Sequence, residues 1–515
     1  MKSVDDVVRD VYLRISSRFK IAFLSAVLFG LIAHMYMFTN KLPNFDDLVN
    51  FNTFGTTFRN GRWFLWIVGA AAYHLEFVFS LPWMNGLLTL TQLAASAGLI
   101  ADLLHLKGKL ANMLLGAALV VFPSWTTTFF YMFTAPYYGL AVLLAVLSVY
   151  VIVRYKRGLP VSVILMACSL GIYQAYLPFI ATLYVVLLFS MLYENYSYAD
   201  ILKKSLYYLF GFIISVICYF VVMKLSLFIT GQQLSTYKGI SSMGQISFSR
   251  VPEFIGIVAN NFFGVFLNNN LEISYNFITK VMYFVLFIVS GILILDIIIK
   301  NAKKKEYLKA IESVVLTVVF IVAINLIYIM CEEGIYSLMY YSYAFMLIFP
   351  LVLIDRTVLG QRNWFTTGLE YSTMLLLCAG VFSYCHFANA QYLSMALGYE
   401  QSHSYCTTLI TQMKNMEGYR DDMPVVLAGE DIADDSLYRN EVMRPFTISG
   451  KDNVLIDDAY GRPEFLRLYC GFDAKYMAAD ELSEKSQSEI AKMPVYPNEG
   501  SIQIIEGVMV IKLMD

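Results

Sequence analysis

Residues 21–66 read "IAFLSAVLFGLIAHMYMFTNKLPNFDDLVNFNTFGTTFRNGRWFLW", an apolar run followed by a polar stretch with two acids and two arginines. The run at 21–38 has no Asp, Glu, Lys or Arg and is long enough to cross a membrane as a helix. It is too long for the core of a signal peptide and is followed by no small-residue cleavage site, which predicts a retained first crossing. The polar stretch 39–66 then begins on the opposite side of the membrane from the N-terminus.

Composition identifies a polytopic membrane protein. The 515 residues are 58% hydrophobic and 16% aromatic, and the mean hydropathy of +0.60 excludes an ordinary soluble domain. The net charge of −2 conceals a division, because residues 1–389 hold 26 Lys+Arg against 18 Asp+Glu, whereas residues 390–515 hold 11 against 21. The two parts are therefore predicted to occupy different environments. The cysteines and histidines lack the spacing of a zinc site or disulfide framework, although Cys406 and Cys470 could pair in an oxidising exterior.

The positive-inside rule reduces the number of predicted crossings from twelve to eleven. Apolar runs lie at 21–38, 63–80, 84–103, 109–123, 136–153, 159–173, 177–193, 206–230, 276–299, 311–330, 336–354 and 364–385. If every run crossed, the cationic segments 154–158 and 300–309 would lie outside with the N-terminus inside. Treating 63–80 as a juxtamembrane helix along the surface corrects this, and then 19 Lys/Arg fall inside and 6 outside. The N-terminus is then predicted inside and residues 390–515 outside.

Past residue 390 the pattern changes to that of a small α/β domain. A helix is predicted near 402–416 and short strands at 424–429, 453–456 and 508–513. We therefore predict an α-helical membrane protein with about 11 transmembrane helices, a juxtamembrane helix and a small C-terminal extracytoplasmic α/β domain. Its domains are 1–389, with an extracytoplasmic catalytic loop and juxtamembrane helix at 39–82, and 390–515.

The charges of the first outer loop are the main candidates for chemistry. Asp46 and Asp47 follow a Pro-Asn turn, and Arg59 and Arg62 follow within 16 residues. One of the acids could simply cap the next helix, because Asp is common there. A cap would not account for both. The predicted arrangement offers a general base beside cations that could hold a lipid-borne phosphate, and paired acids could also bind a divalent cation.

Other polar residues on the outer side complete the candidate substrate-binding set. His74 and Glu76 lie at the end of the surface helix. Lys238 and Arg250 fall in the loop 231–252, and Glu332 and Glu333 in a tight loop before the next apolar run. The alternative for each of the loop residues is a solvated charge with no function.

The motifs "NFDDL" (44–48), "NGRWF" (60–64) and the terminal "MPVYPNEGSIQIIEGVMVIKL" (493–513) resemble the type II group of bacterial O-antigen-modifying glucosyltransferases. This family belongs to the polyprenyl-phosphate-sugar-dependent membrane glycosyltransferases of GT-C architecture, and the resemblance covers nearly the whole chain. It implies an undecaprenyl-phosphate-linked glucose donor, a cell-surface glycan acceptor, and a partner lipid-phosphate glycosyltransferase and flippase. It also implies a bacterial cytoplasmic-membrane location and no nucleic acid. By position, the resemblance makes Asp46 or Asp47 the catalytic acid and Arg62 a phosphate-side residue.

The predicted reaction is single displacement at the outer membrane face, with an Asp as base and inversion of the sugar. A transporter or flippase of lipid-linked saccharides is one alternative, but transporters place functional charges within helices near the midplane and show two similar halves. A polymerase or ligase of surface polysaccharide, which would share the topology, is the other. The sequence has no Gly-rich phosphate-binding loop, so it gives no indication of a nucleotide-sugar site. No cofactor is predicted beyond the possible divalent cation.

Overall fold

A computed structural model of the protein describes residues 3–194, 196–236, 251–267, 272–331, 335–360, 362–429 and 460–513. Four predicted substrate-binding residues, Lys238, Arg250, Glu332 and Glu333, lie outside these ranges, as does the predicted strand 453–456. The described chain is mostly helical, with one small sheet near its C-terminus. This confirms the predicted fold class of a helical membrane protein with a small C-terminal α/β unit.

The helices of the first part of the chain, in order, are α1 (Val4–Arg14), α2 (Ser17–Thr39), α3 (Phe45–Val49), α4 (Trp63–His74), α5 (Pro82–Leu104), α6 (Lys109–Val121), α7 (Pro123–Phe130), α8 (Ala135–Arg154), α9 (Leu159–Ile172) and α10 (Leu177–Tyr193). The later helices are α11 (Tyr198–Thr230), α12 (Val251–Leu267), α13 (Phe277–Lys303), α14 (Tyr307–Ile324), α15 (Leu326–Met330), α16 (Phe345–Gly360), α17 (Trp364–Lys414), α18 (Arg462–Cys470) and α19 (Glu484–Lys492). The strands are β1 (Val425–Ala428), β2 (Ile502–Ile505) and β3 (Val508–Lys512).

Within the described residues, nine helical segments are long and apolar enough to cross a membrane. They correspond to nine of the eleven predicted crossings. The other two, 159–173 and 336–354, form α9 and α16, which are helices of 14 and 16 residues. At 1.5 Å per residue these extend about 21 and 24 Å, less than the roughly 30 Å of a hydrocarbon core.

The segment 63–80 does not form a crossing helix. Its helix α4 has 12 residues, or about 18 Å, and ends at His74. Glu76 then takes a left-handed backbone conformation with φ 60°, and Pro82 begins α5 after a short irregular stretch. A helix of this length is too short to span a bilayer, in agreement with the prediction that this segment does not cross.

The chain forms two compact units. The first contains residues 1–39 and 53–389, and the second contains residues 40–52 and 390–515. In the first unit α4 packs against α9, and an aromatic cluster lies at the junction of α9 and α10. There Tyr173 stacks on Tyr138 with ring centroids 4.2 Å apart, and Phe179 stacks on Tyr341 at 4.7 Å.

The second unit is built on a three-stranded sheet of order β1-β3-β2, in which β1 and β3 are parallel and β2 and β3 antiparallel. β1 and β3 confirm two of the predicted strands, whereas β2 was not predicted. The predicted helix at 402–416 is the end of α17, which runs for 51 residues without a break.

Two cysteines of this unit lie close together. Cys406 on α17 is buried in a hydrophobic cluster, and Cys470 at the end of α18 is partly buried and packs against it; both are free thiols. The Cys406 thiol hydrogen-bonds to Cys470, which lowers the pKa of the Cys470 thiol. Cys406 and Cys470, which the sequence suggested as a possible disulfide pair, are therefore in contact.

Candidate functional site

Asp46 and Asp47 lie in α3, a short helix that belongs to the second unit. The helix begins after Asn44, whose side-chain oxygen accepts a hydrogen bond from the Asp46 backbone N–H at 2.8 Å. The Asn44 backbone N–H in turn donates to Asp47 Oδ2 at 3.4 Å, which completes a reciprocal capping box. Asn44 is therefore the N-cap, so the expectation that one of the two acids caps the helix is wrong; Asp47 is the third residue of α3 and completes the capping box.

The two carboxylates occupy different environments. Asp47 is 3% exposed, so its carboxylate faces the protein interior, whereas Asp46 is partly exposed. The Asp46 amide donates to Asn44, and the Asp46 carbonyl accepts from the Asn50 side chain at 2.9 Å. Of the two acids, Asp46 is the more exposed to solvent.

The helix α3 is held in place by the second unit's own core. Leu48 is 1% exposed and packs in the hydrophobic cluster that includes residues of α17, α18 and the sheet. Gly461, just before α18, lies so close to α3 that a Cβ there would be 3.2 Å from Phe45 Cβ and 3.3 Å from Leu48 Cδ1. Burial, and after it the nearby Asp47 carboxylate, raise the pKa of the Tyr469 phenol. The position of the acids thus depends on α18, which lies more than 400 residues further along the chain.

Arg62 is positioned by a tight turn in the first unit. A single 3₁₀ turn at Phe58–Asn60 ends at Gly61, which has φ 69°. Gln174 donates to the Asn60 carbonyl at 2.7 Å, and the Tyr219 hydroxyl donates to the Gly61 carbonyl at 3.2 Å. A Cβ on Gly61 would come within 2.7 Å of Tyr219 Oη, so both the backbone conformation and the available space favour glycine here.

The Arg62 guanidinium lies against stacked tyrosine rings. Its Cζ is 5.2 Å from the centroid of Tyr173 and 5.9 Å from that of Tyr138. These distances fit cation–π attraction, which holds the planar group against the rings. The buried Nε atom of Arg62 has no hydrogen-bond partner within the described residues. A fixed guanidinium with an unmatched N–H donor suits an anionic oxygen, as in a carboxylate or phosphate.

The other predicted residues that the structure describes are Arg59, His74 and Glu76, and they lie on exposed parts of the first unit. Arg59 is exposed, and its carbonyl accepts a hydrogen bond from the Ser235 backbone N–H at 2.8 Å. His74 and Glu76 are also exposed, at the far end of α4. His74 follows Arg62 by twelve positions along the helix, which corresponds to about 18 Å. The structure therefore does not bring His74 and Glu76 to the Arg62 guanidinium.

Sequence reasoning missed the residues that hold Arg62. Tyr138, Tyr173, Gln174 and Tyr219 come from three separate parts of the chain, and no spacing connects them. Tyrosines are abundant near the ends of the apolar runs, so their presence alone predicts interface anchoring. The capping box, by contrast, has a signal in the sequence, because Asn44 and Asp47 have the N-cap to N3 spacing.

Few of the described residues could hold a cation. In the described ranges, no three His, Cys, Asp or Glu side chains come together as a metal-ligand group. Asp46 and Asp47 are adjacent, but Asp47 already accepts the backbone N–H of Asn44. If a divalent cation takes part, Asp46 is the better placed of the two to offer an oxygen ligand.

In the part of the chain that the structure describes, nine helices able to cross a membrane, together with an aromatic-backed arginine that suits an anion, define a multi-span membrane protein with a candidate anionic-substrate site. The family model described as Glucosyl transferase GtrII matches residues 35–351, more than half of the 515-residue chain. The chain belongs to this family and is a membrane glucosyltransferase, an enzyme that moves a sugar from a donor to a glycan acceptor. This confirms the resemblance seen in the motifs. No curated protein and no solved structure matches the chain.

Proposed function

We propose that the enzyme transfers glucose from a polyprenyl-phosphate donor to a cell-surface glycan at the outer face of the bacterial cytoplasmic membrane, by single displacement with inversion. The N-terminus lies inside and the C-terminal unit outside. The donor is made by a separate lipid-phosphate glycosyltransferase and delivered by a flippase. The observation that carries the proposal is the Arg62 guanidinium, which is held on the Tyr138–Tyr173 stack with an unmatched buried Nε.

Arg62 supports a phosphate leaving group because the guanidinium remains charged at any physiological pH and presents planar N–H donors. During transfer the bond between the anomeric carbon and the phosphate oxygen breaks, and negative charge grows on the phosphate. A cation that is already positioned stabilises that charge without first having to reorganise. The rings behind Arg62 reduce the freedom of its side chain, so little conformational entropy is lost when the donor binds.

Asp46 is the proposed general base. The acceptor hydroxyl gives its proton to the Asp46 carboxylate while its oxygen attacks the anomeric carbon, and polyprenyl phosphate leaves with the bonding electrons. One displacement inverts the configuration, whereas two displacements through a covalent sugar intermediate would retain it. Asp47 supports Asp46 indirectly, because its capping box with Asn44 fixes α3.

The test is transfer by the purified full chain in liposomes, with polyprenyl-phosphate glucose or a nucleotide glucose as donor. We expect transfer from the lipid donor only, and NMR of the product should show the opposite anomeric configuration. Turnover with the nucleotide sugar alone, or a retained configuration, would contradict the proposed donor or the single displacement. A parallel reaction with a chelator tests the cation, and full activity there would leave Arg62 as the main stabiliser of the leaving group.

Cysteine labelling tests which side of the membrane each loop lies on. A cysteine placed at Asn50, in otherwise cysteine-free protein, should react with a membrane-impermeant thiol reagent in intact cells. A cysteine at Lys156 should react only after the membrane is opened. Protection of position 50 in intact cells would place Asp46 on the inner side and remove it from an outward-facing reaction.

A further inference from the structure

A cavity of ≈ 440 Å³ lies among three helices of the first unit, apart from the residues discussed above. Its walls come from α10, α11 and α14, and α10 packs against both of the others. The volume is within the roughly 300–1,000 Å³ of small-molecule sites. Tyr184 on α10 and Tyr208 on α11 stack with centroids 5.2 Å apart at one wall.

The cavity opens toward the surface that faces lipid. Leu209 on α11 and Ile311 and Val315 on α14 line it, and each has more than half of its surface exposed. In a membrane-spanning protein, exposed apolar side chains on such helices contact hydrocarbon rather than water. The lining is therefore suited to an acyl chain that enters from the side.

One carboxylate interrupts this apolar lining. Glu312 on α14 lines the cavity and is 9% exposed, and its buried Oε2 atom has no hydrogen-bond partner in the described part of the chain. Lys309, one turn earlier, is engaged elsewhere, because its Nζ forms an ion pair with Glu306 at 3.0 Å. Leaving a buried acceptor without a donor is unfavourable, and more so when the acceptor is charged, so a donor on the cavity's occupant would stabilise the Glu312 carboxylate.

One exposed basic residue lies beside this end of the cavity. Tyr198 and Leu308 both line it, which brings the N-terminal ends of α11 and α14 to one end. Lys203 on α11 is exposed and directly follows the lining residue Leu202. An occupant that offers a cation to Glu312 and an anion to Lys203 would complement both charges.

From the apolar lining, the unmatched Glu312 oxygen and the nearby Lys203, we propose that this cavity binds a membrane phospholipid with a primary ammonium head group. An acyl chain fills the apolar part, the ammonium donates to Glu312, and the phosphate faces Lys203. An ethanolamine head group carries N–H donors, whereas the quaternary ammonium of a choline head group has none. The site is independent of the proposed sugar transfer.

The first test needs no mutation. The purified full chain is mixed with phosphatidylethanolamine, its N-methyl and N,N-dimethyl derivatives, and phosphatidylcholine, all with the same acyl chains, and retained lipid is measured by native mass spectrometry. Binding should weaken with each added methyl group, on the order of tenfold across the series. Equal binding of all four lipids would overturn the assignment.

The second test uses variants of the cavity. Glu312→Gln should abolish the preference for ethanolamine, because a neutral amide no longer attracts the ammonium. Asp296→Asn, which removes an acid paired with Lys300 outside the cavity, is the matched control and should keep the preference. Ala181→Phe, which fills the cavity floor, should weaken ethanolamine and choline lipids alike. An unchanged preference in Glu312→Gln would refute the head-group contact, and stronger retention of polyprenyl phosphate in competition would assign the cavity to that lipid instead.

Discussion

Replacing Asp46 and Asp47 one at a time with Asn should separate catalysis from folding. Both substitutions keep the size of the side chain and remove its charge. Asp46→Asn leaves intact the backbone hydrogen bonds that fix the residue in α3, but removes the proton acceptor. A lost general base costs about two to four orders of magnitude, so we expect transfer to fall by that factor in protein that folds normally.

Asp47→Asn should have the opposite profile. It replaces the buried carboxylate that accepts the Asn44 N–H, and at 3.4 Å this is a long hydrogen bond. The amide oxygen of Asn can still accept this N–H but carries no charge, so at most the about 1 kcal/mol of a capping interaction is lost, which corresponds to no more than roughly fivefold more frequent opening of α3. The amides of α3 should therefore exchange with deuterium faster, by up to about fivefold, while transfer falls by less than about tenfold.

The two measurements are transfer rate in liposomes and hydrogen exchange of the peptide that contains α3, both on purified protein present at equal amounts. The double variant should be as inactive as Asp46→Asn alone. If Asp47→Asn were inactive with unchanged exchange while Asp46→Asn kept most of its activity, the assignment of base and cap would be reversed. Full activity in the double variant would remove both acids from the mechanism.

Three further predictions concern Arg62, its turn and the cysteine pair. Arg62→Lys keeps the charge but loses the planar fork, so initial-rate kinetics should show about tenfold or more higher KM for the lipid donor and an unchanged KM for the acceptor; equal changes in both would refute a phosphate contact. Gly61→Ala should raise the KM for the lipid donor in the same way. Gly231→Ala, at a similar φ of 66° but with open space around it, should leave that KM unchanged. Equal increases in KM for the two variants would show that backbone strain alone is responsible for the effect. With the C-terminal unit outside, exchange with the cell's disulfide donors should join Cys406 to Cys470, so that both resist thiol labelling until a reductant is added; labelling of both in untreated membranes would contradict this.

Much of the membrane part could be predicted because long apolar runs and cationic loops are direct physical signals. The start of α16 was misplaced because hydropathy does not mark where a helix begins: the apolar run at 336–354 includes residues that form 3₁₀ turns before α16 begins at Phe345. The run at 159–173, by contrast, matches α9 to within one residue. The full length of α17 was not predicted because the hydropathy of its sequence falls after about residue 385. No proline interrupts the helix there, and it continues to Lys414.

The candidate site was only partly predictable. The charges of the loop stand out against an apolar background, so Asp46, Asp47 and Arg62 could be selected from the sequence. Their surroundings could not be predicted, because Tyr173 reaches Arg62, and Tyr469 the vicinity of Asp47, only through tertiary packing. The strand β2 was missed because "IQII" is short and lies directly before a two-residue turn at Glu506 and Gly507, both with positive φ.

The packing of α3 against α18 has a consequence for how this protein can evolve. The segment 40–52 lies inside the matched family region, whereas its packing partners at 461–513 lie beyond the end of that region. A Cβ at 461 would lie 3.2 Å from Phe45 and 3.3 Å from Leu48, so a larger residue there favours a compensating shift or a smaller side chain on α3. Related sequences should therefore change at these positions in concert, and recombination that exchanges the C-terminal part alone between distant relatives should be selected against, even when every membrane helix is inherited intact.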